Sequence, residues 1–329
     1  MVSIKDVAKH AGVAISTVSK VVNHYPNVSE ETIQRVNAAI EELQFVPNSI
    51  AASLSSKQSA RIALLINPIT QTQAIDEIAM QYLTGAIHKA QELKVDVIPL
   101  FFSMLENKSI EEVESYLRAQ NIGGIIIYGM SKDDVTLHEL IRLQKFKIVC
   151  VDAPFVNENT SYVAIDHKLA QKQVARKTIA DHGNRILYIA GKKNGYVSEE
   201  RLQGMEELAK EMQLELFVQG GEFREKLARE ITLQYAKDQD VVVCASDLMA
   251  IGSMKALIDM DIFRPVCGFD GITLMGYVGK QMYTIRQNFR EISAMAVEEC
   301  RRLMHGGQKG RSVRMPHELV RLEYLEIIC

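Results

Sequence analysis

No apolar run in the sequence approaches the roughly 18 residues that a membrane helix needs. Its start, MVSIKDVAKHAG, carries charges where a secretory signal would carry its apolar core. Membrane and secreted classes are therefore not expected, and the expected compartment is the cytoplasm. Cysteine is scarce: Cys150, Cys244, Cys267, Cys300 and Cys329 show no CxxC spacing. An odd count, mostly within apolar runs, reads as reduced, buried thiols rather than disulfides or zinc. The histidines have no metal-ligand spacing. Gly191, Gly220–Gly221 and Gly306–Gly307 complete neither a GxGxxG nor a GxxxxGK[ST] loop, and there is no nucleophile elbow. No metal, cofactor or enzymatic activity is expected. An excess of positive charge is missing too, because the net charge is −3. Global charge therefore makes no case for nucleic acid.

What is there points to a soluble chain of several domains. Apolar residues make up 47% and charged residues 24% of 329 residues, too many for one ordinary core. Residues 1–46 read as short helices with tight joints. Ser3-Ile4-Lys5-Asp6 is a capping-box pattern, and Gly12 can take the left-handed conformation that ends a first helix. A second helix is expected from about Ile15 to Asn23, with Val18, Val21 and Val22 inward and Ser16, Ser19, Lys20 and Asn23 outward. Ser29 is expected to cap a third, whose Ile33, Val36, Ile40 and Leu43 close a small core. Residues 47–60 are small and polar, a linker that becomes helical only in a complex.

From Arg61 the texture changes to strand-like runs alternating with helical stretches. RIALLIN (61–67), GGIIIYG (123–129), KIVCVDA (147–153), SYVAID (161–166), RILYIAG (185–191), DVVVCAS (240–246) and PVCGFD (265–270) are examples. Such alternation implies parallel sheets covered by helices, and so many strands suit two doubly wound sheets.

A helix-turn-helix places polar side chains of a short second helix in the major groove while its other face packs on the first. Residues 15–23 have that length and division of faces. Ser16 and Ser19 can bond phosphates or base edges, Lys20 can reach a guanine edge or a phosphate, and Ile15 can touch a thymine methyl. Locally the charge helps, since Lys5, Lys9 and Lys20 face only Asp6 within the first 28 residues. The same features also fit a plain three-helix cap with a solvated face.

IKDVAKHAGVAISTVSKVVN, then VSEET, then PNSIAASL, resembles the headpiece of the lactose-repressor (LacI/GalR-type) family across residues 3–58. The resemblance implies that Ile15, Ser16 and Lys20 read operator bases. It implies that Thr17, Ser19, Asn23, Ser29 and Thr32 contact backbone or support that contact, and that Ser3, Ile4, Asn48 and Ala51 belong to the same surface. It also implies a hinge helix whose Leu54 wedges into the minor groove, as apolar wedges that kink DNA do. Three departures imply altered operator preference. Ala14 stands where a capping serine is usual, Lys20 where arginine is common, and Ala52 at a frequent arginine of the hinge.

In two-sheet α/β folds, ligands bind at the carboxyl ends of strands. Asp152, Asp166, Ser246-Asp247 and Asp270 each follow a strand-like run, and carboxylates suit hydroxyl-rich ligands. Residues 61–329 resemble the periplasmic-binding-protein-like effector domain of the same family. The expected subdomains are about 61–158 plus 289–318, and about 159–288 plus 319–329. The resemblance places Arg201 as the ligand clamp, Asp270 as the acidic ligand contact, Asp247 in the family's Asn-Asp-x-Met-Ala block with Ser246 replacing asparagine, and Phe223 as the stacking aromatic. Asp152 joins them as a candidate. Each also has a structural reading: Arg201 as a surface arginine, Asp247 as a helix cap, Phe223 as core. Ala74-Ile75 replaces frequent paired aromatics and Gly271 replaces a common second aspartate, so either an unusual pocket or an effector other than a simple sugar is expected.

The expected whole is a homodimeric repressor of a carbohydrate-utilisation operon. It binds double-stranded operator DNA and is switched by a small sugar-like effector. A repressor governed by a protein co-regulator, and a solute-binding protein, are the alternatives.

Overall fold

The computed structural model describes residues 2–22, 27–45, 60–66, 77–180, 182–277 and 281–321. The chain divides into two compact units, residues 1–59 and 60–329. Of the residues singled out above, Asn23, Asn48, Ala51, Ala52, Leu54, Ala74, Ile75 and Cys329 lie outside the described ones.

The small unit holds helices α1 (Ile4–Ala11), α2 (Ile15–Val22) and α3 (Glu30–Glu42). Val7, Ala8, Ala11, Val18, Val21, Val36 and Ala39 are buried, with Ile33, Ile40 and Leu43 packed around them. The Asp6 carboxylate accepts from the Ser3 amide at 2.9 Å and the Ser3 hydroxyl at 2.7 Å, which starts α1. Gly12 ends it at φ 65°, where a side chain would be strained although open space surrounds the position. Ser29 departs from expectation. It stands at the N-cap of α3, but its hydroxyl meets the Thr32 hydroxyl at 2.9 Å instead of a backbone amide.

The large unit contains two six-stranded sheets, in the orders β11-β5-β4-β3-β1-β2 and β12-β10-β9-β8-β6-β7. The first sheet is parallel and comprises β1 (Arg61–Ile66), β2 (Val97–Phe101), β3 (Ile122–Tyr128), β4 (Lys147–Val151), β5 (Thr160–Ala164) and β11 (Ser312–Arg314). The second comprises β6 (Arg185–Ala190), β7 (Glu215–Gly220), β8 (Val241–Cys244), β9 (Val266–Cys267), β10 (Tyr283–Gln287) and β12 (His317–Arg321), and only the β10–β12 pair is antiparallel. Helices α4 (Glu77–Leu93), α5 (Ile110–Ala119), α6 (Val135–Leu143) and α11 (Phe289–Met304) belong to the first lobe. Helices α7 (His167–Ile179), α8 (Tyr196–Met212), α9 (Glu225–Tyr235) and α10 (Asp247–Asp259) cover the second. The chain passes between the lobes at residues 165–166, 288 and 315–316.

Two features differ from the sequence reading. Thr160–Ala164 pairs with β4, so the first crossover falls after residue 164 rather than near 159. Four strands, β7, β10, β11 and β12, were not expected: β7 is a largely exposed edge, β11 and β12 are short, and β10 carries Thr284, Arg286 and Gln287. Strands buried on both faces, such as β1 and β3, announce themselves as continuous apolar runs, and these do not.

Candidate nucleic-acid interface and effector cleft

On α2, Val18 and Val21 face the headpiece core and fix which side remains outward. Ile15, Ser16 and Lys20 are exposed on that outer side, with Thr17 and Ser19 half-buried beside them. The carbonyl of Ala14 accepts from the Thr17 and Val18 amides at 2.9 and 3.2 Å, so Ala14 occupies the N-cap without a side chain able to cap. Ser3 and Ser29 are exposed and Thr32 is half-buried, whereas Ile4 leans on the core. A short helix presenting a hydroxyl, an apolar tip and a lysine on one rigid face can enter a major groove.

The second site lies where the strands of both sheets end. Arg201, on α8, is buried. Its Nη1 donates to the Ala245 carbonyl at 2.6 Å, its Nη2 pairs with Asp270 Oδ1 at 3.3 Å, and its Nε lies 3.4 Å from His167 Nδ1. The guanidinium covers the Phe269 ring at 3.7 Å from the centroid. His167, the first residue of α7, reaches across to Asp152 of the first lobe, Nε2 to Oδ1 at 2.9 Å. The other Asp152 oxygen accepts from the Tyr82 hydroxyl at 3.1 Å, and Gln287 donates to Asp270 at 3.0 Å. One polar chain, Tyr82–Asp152–His167–Arg201–Asp270–Gln287, thus runs through the cleft and links the lobes.

Asp152 takes the left-handed conformation at φ 62°, and Asp270 stands at φ 123°, a conformation that a non-glycine residue holds only when its surroundings enforce it. Burial pushes the Asp270 carboxyl up to about 6, against the opposing pull of Arg201 and His167. Burial likewise pushes Asp247 up to about 7, with Asp270 adding to it.

The sequence-predicted residues separate. Arg201, Asp270 and Asp152 come together. Asp247 is fully buried beneath them: it accepts from the Gly271 and Ile272 amides at 2.7 and 2.8 Å and from the Thr284 hydroxyl at 2.6 Å. It braces the loop that carries Asp270. Asp166 caps α7 through the Leu169 amide at 2.9 Å, and Ser246 caps α10 through the Met249 amide at 3.3 Å. The half-buried Phe223 sits against Gly191, where an added Cβ would lie 2.2 Å from its ring. Sequence reasoning missed Tyr82, His167, Phe269 and Gln287. Their signal was position, since His167 and Phe269 flank the same strand ends as the chosen aspartates.

Two further seams hold the lobes together. Glu77 accepts from the Thr273 amide at 3.0 Å and its hydroxyl at 2.8 Å. On another side, Lys132 N–H donates to the Asn194 carbonyl at 3.0 Å, Lys132 Nζ meets Glu199 at 2.5 Å, and His138 meets the Tyr196 hydroxyl at 2.8 Å.

A helix-turn-helix unit joined to a two-lobed α/β unit with a charged cleft defines a ligand-responsive DNA-binding regulator. Residues 3–48 match the model for bacterial regulatory proteins of the lacI family, and residues 80–319 match the model for periplasmic binding proteins and the sugar binding domain of the LacI family. The chain belongs to the LacI family of transcriptional regulators. It is 29% identical to the ribose operon repressor of Halalkalibacterium halodurans, over 90% of this chain and 88% of that one. It is 26% identical to catabolite control protein A of Staphylococcus aureus, over 98% of each. In fold it is similar to the lac repressor dimer bound to operator and the anti-inducer ONPF (TM-score 0.82, 23% identity, 98% of this chain and 99% of that one). A CelR–cellobiose complex is also similar, with TM-score 0.70, 24% identity, and 98% and 99% covered. No helix among the described residues is long and apolar enough to cross a membrane.

Proposed function

We propose that this chain is a cytoplasmic, homodimeric repressor of a carbohydrate-utilisation operon, released from or recruited to its operator by a sugar-like effector held between the lobes. The observation that carries the reading is the buried Arg201–Asp270 pair at the strand ends of a chain that also bears a helix-turn-helix. A fixed guanidinium and two carboxylates, Asp270 and Asp152, supply the donors and acceptors that vicinal hydroxyls need. Lys20, Ser16 and Ile15 read bases; Thr17, Ser19, Thr32, Ser29, Ser3 and Ile4 support the backbone contact, together with Asn23, Asn48, Ala51 and Leu54. Asp247 and Phe223 shape the pocket from below and from one side.

Dimerisation is supported by α4. One face packs Tyr82, Gly85, Ala86 and Ala90 inward, while Met80 and Ile87, seven residues apart, stand 54% and 43% exposed. Phe101 and Met104, at the end of the edge strand β2 and just after it, are exposed as well. Two headpieces on paired half-sites supply the affinity and register that one lacks.

A second reading has its own observation. The guanidinium of Arg201 already spends its N–H groups on Ala245, Asp270 and His167. A guanidinium so occupied also fits control by a protein co-regulator, with no sugar entering the cleft.

The test is to select duplexes from a random pool with the full-length chain, then measure binding to the recovered sequence as salt and sugars vary. A two-half-site palindrome is expected, with affinity that falls with salt and responds to one sugar class. Failure to enrich any sequence overturns the regulator reading, while an operator indifferent to every sugar leaves the co-regulator.

A further inference from the structure

A cavity of about 450 Å3 opens at the end of the second lobe remote from the cleft. It lies where β9 and β10 begin and where α7 and β12 end, and it is lined by Val266, Tyr283, Lys177 and Arg321. Its size falls within the range of small-molecule sites. Among the described residues the lining includes Lys177, Arg264, Arg321 and His182 and no acidic one, in a chain of net charge −3.

The cations differ in what they are doing. Arg264 is committed, donating to the carbonyls of Gln239, Phe263 and Lys237. Lys177 and Arg321 lie 5.7 and 5.6 Å from the centroid of the one Tyr283 ring, and neither forms an ion pair with a described residue. A dianion bound in the cavity is attracted by both charges. The buried Met254 and Met282, with the ring of Tyr283, add an apolar wall that suits a flat group.

We propose that this cavity is a second ligand site, distinct from the cleft, that takes a phosphate monoester carried on a flat ring. Lys177 and Arg321 meet the dianion, and Tyr283, Met254 and Met282 meet the ring. Three elements that line the cavity also reach the cleft. Helix α7 runs from His167 to Lys177, about 15 Å at the usual rise per residue. Strand β10 runs from Gln287, beside Asp270, to Tyr283, and α10 runs from Asp247 to Met254. An occupant therefore borders the same rigid elements that position the cleft residues.

Calorimetric titration of the full chain with phenyl phosphate tests this, with phenol as the neutral control. One saturable site per chain is expected, weakened by added salt. Lys177→Gln and Arg321→Gln should each weaken it about tenfold, as loss of one charged hydrogen bond does. Lys177→Arg, which keeps the charge, should retain it. Both positions are exposed, so the folded state is not at risk in these variants. Phenyl phosphate binding no tighter than phenol, or binding unchanged in both glutamine variants, overturns the proposal.

Discussion

Arg201 and Phe269 form a stacked pair, with the guanidinium carbon 3.7 Å from the ring centroid. The stacking holds the guanidinium plane so that Nη2 meets Asp270 while Nη1 meets the Ala245 carbonyl. Removing Arg201 would leave a buried carboxylate without its cation and a carbonyl without its donor. Arg201→Ala is expected to cost about 3–5 kcal/mol, read as a lower urea midpoint. Arg201→Lys should recover only part of this, because an ammonium cannot stack flat and fork. Full recovery of the parent's stability by Arg201→Lys would show that charge alone matters here.

The raised acids set a pH dependence with a definite sign. Asp270 ordinarily titrates near 3.8 and is pushed up to about 6 by burial, and Asp247 up to about 7. Between pH 4 and 7 the folded chain therefore binds more protons than the unfolded one. The contribution of these groups is present below about pH 4 and is lost as pH rises through 6 to 7. Asp270→Asn should flatten that part of the stability profile, measured by denaturation at half-unit pH steps. A profile as steep as that of the parent would place the titration elsewhere.

How much of this was legible in the sequence depended on which side chains a strand buries. β1, β3 and β8 are buried along almost their whole length and read as apolar runs. β10 could not be read that way, because its buried Thr284 and Gln287 serve Asp247 and Asp270. The cleft was half legible. An aspartate after a strand looks the same whether it faces a ligand or braces a loop. Asp247 is the brace because Gly268 lets β9 approach it, and a Cβ there would sit 2.2 Å from its Oδ1. Nothing in the local sequence around Tyr82 shows that it meets Asp152, 70 residues on, since that pairing exists only once the fold brings α4 to the residue that follows β4.

Helix crossings rest on glycines that admit backbone. An added Cβ on Gly85 of α4 would lie 2.1 Å from the Arg290 carbonyl oxygen of α11. Gly85→Ala must part the two helices and is expected to cost about 1–3 kcal/mol in chemical denaturation. A neutral effect would mean that the crossing yields.

The uncapped start of α2 can be repaired. Ala14 already holds the N-cap position through its carbonyl. Ala14→Ser adds a hydroxyl able to accept from the first-turn amides and should stabilise the helix by about 1 kcal/mol. Hydrogen exchange of the α2 amides in the full-length chain should slow about fivefold for that gain. Unchanged exchange would show that the new hydroxyl turns to solvent.

Lys20 offers the sharpest check on DNA reading. It is exposed on the face opposite Val18 and Val21, so its loss leaves the headpiece core intact. Lys20→Ala is expected to weaken binding to the selected operator about tenfold or more, the worth of one base-edge contact. If the lysine reads a base, the variant should also accept substitutions at one position of each half-site that the parent rejects. If it touches only phosphate, affinity should fall evenly on every duplex, and the salt slope should drop by about one. Lys20→Arg then separates the cases again. A bidentate fork should sharpen preference for guanine where a base is read, and should change nothing but overall affinity where a phosphate is held.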